Sequence, residues 1–171
     1  SGSVYTATFT PSGDGAKTIN VAAEVFEDAV GNANTASNTF TWTYDSTSPT
    51  MTITSSTVSN ATSSKATSIA LTFTSSEVTT NFVAGDITLS GGSIGSLSGS
   101  GSVYTATFTP SGDGAKTINV ATGVFEDASG NTNTASDTFT WTYDGTKPTM
   151  TITTSTISSG TSSKDTSIAL T

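Results

Sequence analysis

Phe40-Thr-Trp-Thr-Tyr-Asp-Ser-Thr-Ser-Pro49 is the stretch that decides the fold, and it returns as Phe139–Pro148 with only Gly145 and Lys147 changed. Phe40, Trp42 and Tyr44 fall on one face of an extended chain, Thr41 and Thr43 on the other. That period of two marks a half-buried β-strand. The polar joint that follows ends in a proline, which cannot donate to a ladder and pushes the residue before it towards extended backbone. Alternation resumes at once, with Met51 and Ile53 on one face and Thr52 and Thr54 on the other. The stretch therefore reads as the last strand of one module, a stiff linker and the first strand of the next.

Working outward, Ser1-Gly-Ser-Val-Tyr-Thr-Ala-Thr-Phe-Thr-Pro-Ser-Gly-Asp-Gly15 recurs from Ser100, and the register holds without a gap to Thr171. The period is about 99 residues, with about 60 of the 72 overlapping positions identical. So long a period suits a string of whole domains better than a solenoid, whose units are shorter and cannot bury a core alone. Framed from linker to linker, residues 45–144 are one complete repeat. Residues 1–44 read as the C-terminal part of its predecessor and 145–171 as the N-terminal strands of its successor. The two end pieces do not sum to a second module, because neither contains a counterpart of Phe73–Gly99. The chain is expected to be cut from a longer polypeptide.

Hydrophobic residues make up 33% of the chain. That is low for a globular protein, but they are patterned rather than scattered, which argues against disorder. Ser and Thr supply about two residues in five, a bias that suits strands with a hydroxyl-covered outer face. With no Cys there is no disulfide framework, and with no His the commonest general base and zinc ligand is missing. The net charge of −8 speaks against nucleic acid or anionic membrane as a partner and makes divalent cations the natural counter-ions. No apolar run approaches the length of a membrane span.

Along the complete module the first strand is Met51–Thr54, followed by a Ser/Thr/Asn-rich turn over Ser55–Lys65. Ile69, Leu71 and Phe73 mark the second strand, and Phe82 is expected to plug the core from the loop beyond it. Ile87 and Leu89 begin a third strand, Ile94–Leu97 is a short fourth, and Tyr104, Ala106 and Phe108 line a fifth. Pro110-Ser-Gly-Asp-Gly is a strong turn signal. Ile118 and Val120 mark the sixth strand, Val124–Asn133 a long loop, and Phe139, Trp141 and Tyr143 the last strand. About seven short antiparallel strands without a helical period predict an all-β fold: tandem Ig-like β-sandwiches in an extended array. Parallel pairing is not expected, since it calls for crossover helices. A small closed barrel is the alternative.

Asp45-Ser-Thr-Ser-Pro, Ile69-Ala-Leu-Thr-Phe-Thr-Ser-Ser-Glu, Phe82-Val-Ala-Gly-Asp-Ile-Thr-Leu-Ser-Gly-Gly, Tyr104-Thr-Ala-Thr-Phe-Thr-Pro and Phe125-Glu-Asp-Ala-Ser-Gly-Asn occur in that order. Together they resemble bacterial Ig-like tandem repeats of large secreted surface adhesins and biofilm proteins. The resemblance implies a secreted or cell-surface location and a structural, extending role.

The reactive side chains are carboxylates and hydroxyls. On an Ig-like topology the loop before the last strand lies at the end where the module begins. The turn between the fifth and sixth strands lies at the other end. Asp14, Asp45 and Glu126 or Asp127 should then approach one joint, with Glu77 at the same end. Asp113 and Asp144 should repeat the arrangement at the next joint with a partner outside the chain. Clustered carboxylates beside Gly-rich turns are hard oxygen ligands of the kind calcium prefers, so these seven residues are candidate calcium ligands. The competing reading is that they cap turns through local hydrogen bonds, which needs no metal. Resemblance to adhesin repeats, some of which stiffen their joints with calcium, weighs towards the metal.

Other chemistry is less supported. Glu77 and Asp127 as paired glycosidase carboxylates have no cleft or insertion to serve them, so no enzyme is expected. Trp42 and Trp141 alternate with Thr and read as packing residues before they read as a glycan platform. The Thr105/Thr107 and Thr138/Thr140/Thr142 rows read as ordinary solvent-facing positions. An isopeptide crosslink needs a buried Lys, whereas Lys65 and Lys116 both stand in polar, turn-like contexts. The expected function is a stalk repeat spacing a distal region from a cell. The alternative is a repeat that itself binds surface glycans or a sister chain. Adjacent repeats are the expected partners, without nucleic acid or membrane insertion.

Overall fold

Alternation along the strands sets the two layers of the computed structural model, which describes residues 4–171; Ser1–Ser3, the start of the repeated stretch, lie outside the described residues. One sheet holds β3 (Met51–Ser55), β5 (Ile69–Ser75), β9 (Val103–Pro110) and β7 (Gly92–Ile94) in that order, with β8 (Ser98–Ser100) also on β9. The other holds β4 (Thr62–Ser64), β11 (Phe139–Tyr143), β10 (Gly114–Val120) and β6 (Ile87–Ser90). No strand belongs to both sheets, so the module is a sandwich and not a closed barrel. Ile69, Leu71 and Phe73 of β5 face Ile118, Val120, Phe139 and Trp141 of the second sheet, and Thr residues between them point outward.

The rings lock the layers together. Phe108 of β9 meets Trp141 of β11 edge to face at 5.0 Å. Phe82 is the expected plug, with its ring 5.9 Å from Phe73, 5.2 Å from Tyr104 and 5.3 Å from Phe125. Each such side chain taken fully out of water contributes about 1.5–3 kcal/mol. The indole N–H of Trp141 is buried without a partner. That costs about 1–3 kcal/mol, which the packing of the ring offsets.

Three details depart from the expectation. First, the module has nine strands, not seven. β4 forms inside the stretch read as a turn, β8 is additional, and the fourth strand is Gly92–Ile94, ahead of the predicted Ile94–Leu97. At Gly92 a Cβ would run into the Phe108 ring and the Thr109 carbonyl, so the glycine permits the close pairing of β7 with β9. Second, β4 and β11 pair in parallel, Thr62 beside Trp141. The rest of the module supplies the long connection that parallel strands need, so no crossover helix is required. Asn60 fastens the pair, its Oδ1 accepting from Thr140 N at 2.8 Å, while Ala61 N donates to Thr140 O at 2.7 Å. Third, Lys116 is buried, against its reading as a turn residue. Its inward position follows from Ile118 and Val120 by the same period of two. The stem passes beside Gly91 and the Nζ reaches out to Ser111 O at 3.2 Å.

Outside the sandwich, β1 (Gly15–Ile19) and β2 (Phe40–Tyr44) form a hairpin. Its register matches β10–β11 residue for residue, Gly15↔Tyr44 for Gly114↔Tyr143 and Ile19↔Phe40 for Ile118↔Phe139. The surroundings differ: Phe125 is wholly buried, whereas Phe26, its counterpart in the first copy, is 61% exposed. Phe125→Ala is therefore expected to cost the module about 3–5 kcal/mol in urea unfolding. Phe26→Ala should stay within about 0.5 kcal/mol, although the local sequence is nearly the same.

Candidate metal centre at the first module joint

The loop Val124–Asn133 is built around one side chain. Asn133 is buried, and its Oδ1 accepts from the N–H groups of Val124 (2.8 Å) and Phe125 (3.0 Å). Its Nδ2 donates to the carbonyls of Ala121 and Thr134, both at 2.7 Å. Asn34 makes the same four bonds in the first copy, to Val25, Phe26, Ala22 and Thr35. Sequence reasoning passed over this residue. Its signal was a second Asn two positions after each Gly-Asn, and amides of that kind organise loops locally.

Within that frame Asp127 turns inward between Phe125 and the exposed Ala128. Its Oδ1 accepts from Ser129 N and Asn131 N, and its Oδ2 from Asn131 Nδ2 at 2.9 Å. A second loop, carrying Glu77, is tied against it. Thr80 N donates to Glu126 O at 3.1 Å, and Glu126 N to Asn81 Oδ1 at 2.8 Å. The Thr79 hydroxyl contacts Tyr104 Oη at 2.6 Å.

The linker delivers the third carboxylate. Ser129 Oγ donates to Asp45 Oδ2 at 3.0 Å, and Asn131 Nδ2 to the Asp45 carbonyl at 3.2 Å. Beyond it Pro49 is buried, and its carbonyl accepts from Thr134 N at 3.0 Å. Asp45, Glu77 and Asp127 thus converge, with one oxygen of each within 4.8 Å of the others. Their spacing would admit a hard, oxygen-preferring cation among the three.

The other four candidates stand elsewhere. Glu126 is exposed, because alternation puts it on the opposite side from Asp127. Asp14 is a clamp on the linker: it accepts from Ser46 N (2.9 Å), Ser46 Oγ (2.7 Å) and the Thr47 hydroxyl. Asp113 does the same at the second joint, with Gly145 N (2.8 Å) and the Thr146 hydroxyl. Asp144 accepts from Thr146 N at 3.0 Å, as Asp45 does from Thr47 N at 3.1 Å. The positions equivalent to Glu77 and Asp127 at the second joint fall past Thr171.

The electrostatics separate the three clustered acids. Burial pushes Glu77 above the usual glutamate range, reinforced by the charges of Asp45, Asp127 and Asp14. Burial also works upward on Asp127, but hydrogen bonds from the Asn131 side chain and from the Asn131, Ser129 and Gly130 backbone more than offset it, and the net shift is downward. Asp14 is lowered by the hydroxyls of Thr47 and Ser46, Asp113 by the Thr146 hydroxyl and Gly145 N–H. Turn capping alone accounts for Asp127's bonds. Asp28 makes the corresponding three with Val30 and Asn32 at 2.8–2.9 Å and is lowered in the same direction. What turn capping does not account for is Glu77, the member of the cluster whose charged form is disfavoured.

Residues 45–143, more than half of the chain, match the family model of the bacterial Ig-like domain. The chain belongs to that family. The match covers the two-sheet sandwich from linker to last strand, including Asp45, Glu77 and Asp127. No curated protein and no solved structure is measurably similar to the chain. Among the described residues no helix is long and apolar enough to cross a membrane.

Trp141 is buried in this Ig-like domain and offers no stacking face, while Trp42 is half-buried with Phe9 edge-on at 5.2 Å. Two expectations follow from the site. Asn133→Ala should cost about 2–4 kcal/mol, measured by thermal or urea unfolding, because several bonds are lost and buried partners are left unmet. For Glu77 the raised pKa means a contribution that is present at low pH and is lost as pH rises through that elevated value. In metal-free, low-salt buffer, Glu77→Gln should therefore raise the melting temperature at neutral pH, with little effect where Glu77 is already protonated. Added salt should shrink the difference.

Proposed function

We propose that the chain is a structural extender: tandem Ig-like modules of a secreted or surface-attached bacterial fibre, spaced by clamped joints. The observation that carries this is the repetition of the clamp. Asp14 holds Ser46 and Thr47, and Asp113 holds Gly145 and Thr146, so two joints of different sequence are fastened by one device. The linker proline removes a soft torsion, and burial of Pro49 ties the first linker to the module that follows. Membership in a family whose domains commonly occur in surface proteins and are typically not enzymes supports the same reading. On this reading residues 1–44 and 145–171 are parts of neighbouring repeats.

Calcium belongs to the proposal at the first joint. Asp45 comes from the linker, and Glu77 and Asp127 come from two loops of the following module. A cation among them would relieve their mutual repulsion and stiffen the joint. The competing role, recognition of glycans by each repeat, would show as saturable, sugar-specific binding of residues 45–144 on a glycan array; the extender reading expects none.

Small-angle scattering of a protein with two complete modules, in calcium and in chelator, tests the joint. A narrow spread of bend angles that narrows further with calcium is the expected result. A broad spread in both conditions overturns the extender, and an identical narrow spread in both discards the calcium. Glu77→Gln should abolish any calcium response of the melting temperature.

A further inference from the structure

Lys116 is 2% exposed on the inward face of β10, opposite Trp141 in the ladder with β11. A lysine is seldom so deep, and an apolar side chain often fills such a position at lower cost. The ammonium does not stay among the rings. It runs back to the turn 110–114, where Nζ donates to Ser111 O at 3.2 Å. That turn carries Asp113, the carboxylate that clamps Gly145 and Thr146.

The first copy has the same arrangement, with Asp14-Gly-Ala-Lys17 for Asp113-Gly-Ala-Lys116. Lys17 Nζ donates to Ser12 O at 3.2 Å and to Asp14 O at 3.4 Å, while Asp14 holds Ser46 and Thr47. Lys116 is buried and Lys17 half-buried, yet each reaches the counterpart carbonyl at the same distance. Burial therefore does not put the ammonium there. The turn and the strand that leaves it do.

Charge completes the arrangement. Asp113 is held below the usual aspartate range by the Thr146 hydroxyl and the Gly145 N–H, and then, against desolvation, by the charge of Lys116. Asp14 is lowered by the Thr47 hydroxyl and by Ser46, with Lys17 adding in the same sense. A carboxylate accepts such hydrogen bonds most strongly while it is ionised.

We propose that Lys116 is the positioning residue of the joint clamp: from the core side it fastens the turn 110–114 and so holds Asp113 towards the linker, with Lys17 in the same role under Asp14. On the extender reading, on which this rests, each clamp fastens one module to the next, and the lysine holds the clamp itself. Its removal should act on core and joint in opposite senses. The core loses a buried charge, and the clamp loses its support.

Lys116→Met in the full chain, followed by NMR at the Gly145 amide, tests this. Methionine keeps most of the stem and removes the charge. The melting temperature should stay level or rise, because Ser111 is exposed and its carbonyl can turn to water. The Gly145 N–H, bonded to Asp113 Oδ1, should exchange faster with solvent. Its chemical shift also follows the protonation of Asp113. Since that pKa is depressed, the clamp is complete above the ordinary aspartate value and is lost as pH falls through the depressed one. In Lys116→Met the loss should begin at higher pH. The other titratable groups nearby, the Tyr143 hydroxyl beside Gly145 and Asp144 and Lys147 along the linker, are the same in both chains.

Asp113→Ala separates the lysine from the clamp. If it leaves Gly145 N–H exchange unchanged, the clamp reading fails and the role of Lys116 with it. If it speeds exchange while Lys116→Met changes neither the exchange nor the pH profile, the clamp stands and the role of Lys116 is overturned. Should Lys116→Met not fold, Lys17→Met decides, because Lys17 lies outside the sandwich. Exchange of Ser46 N–H, which donates to Asp14, should then rise in chelator at constant pH, and an unchanged rate overturns the proposal.

Discussion

A sheet with one apolar face is stable only against a second layer, and that requirement organises this chain. The rings that fill the space between the layers form a set in two groups, Phe82 with Phe73, Tyr104 and Phe125, and Phe108 with Trp141. The set draws on β5, β9, β11 and two loops, so no run of consecutive residues can assemble it. Residues 4–44 keep the backbone hairpin but not the burial, with Phe26 and Phe40 largely exposed and Phe9 and Trp42 only half-buried. Backbone pairing and core burial are thus separable here. The first is local, while the second needs the opposite sheet.

The joint depends on that core at one remove. Burial of Phe125 and Asn133 fixes the loop that presents Asp127, Ser129 and Asn131 to the linker. Thr79 and Thr80 tie the Glu77 loop to the same place. The linker is held from the other side by Asp14, through a turn whose geometry uses positive φ at Gly13 and Gly15. A carboxylate that accepts two hydroxyls and an N–H is well satisfied without a metal, so the Asp14 clamp does a different job from the Asp45–Glu77–Asp127 cluster, although its charge still reaches Glu77. The clamp is electrically content. The cluster carries repulsion, concentrated on Glu77.

Differences between the copies mark where backbone matters more than side chain. Glu24 adopts φ 63° where Gly123 has 71°, and Ala61 adopts 61° where Gly160 has 80°. The left-handed turn is kept although a side chain there is disfavoured. At Ala61 the adjoining hydrogen bonds to Thr140 hold the turn in place. Ser46 and Gly145 vary without loss of the clamp because both donate through the backbone N–H.

The strand faces, the core plug and the two-layer all-β class were legible from the sequence, because alternation and turn residues act over a few positions. The local loops follow from sequence in the same way, which is why Asn34 and Asn133 make matching bonds in such different surroundings. Tertiary structure decided what depends on residues far apart in the chain. It selected Asp127 over Glu126, separated the Asp14 clamp from the three-carboxylate cluster, and gathered Asp45, Glu77 and Asp127 across three segments. It buried Lys116 in a strand that the turn signal beside it disguised, and it sent β4 across to lie parallel to β11. Those outcomes turn on which surfaces the second sheet covers, and a period of two says only which residues face it.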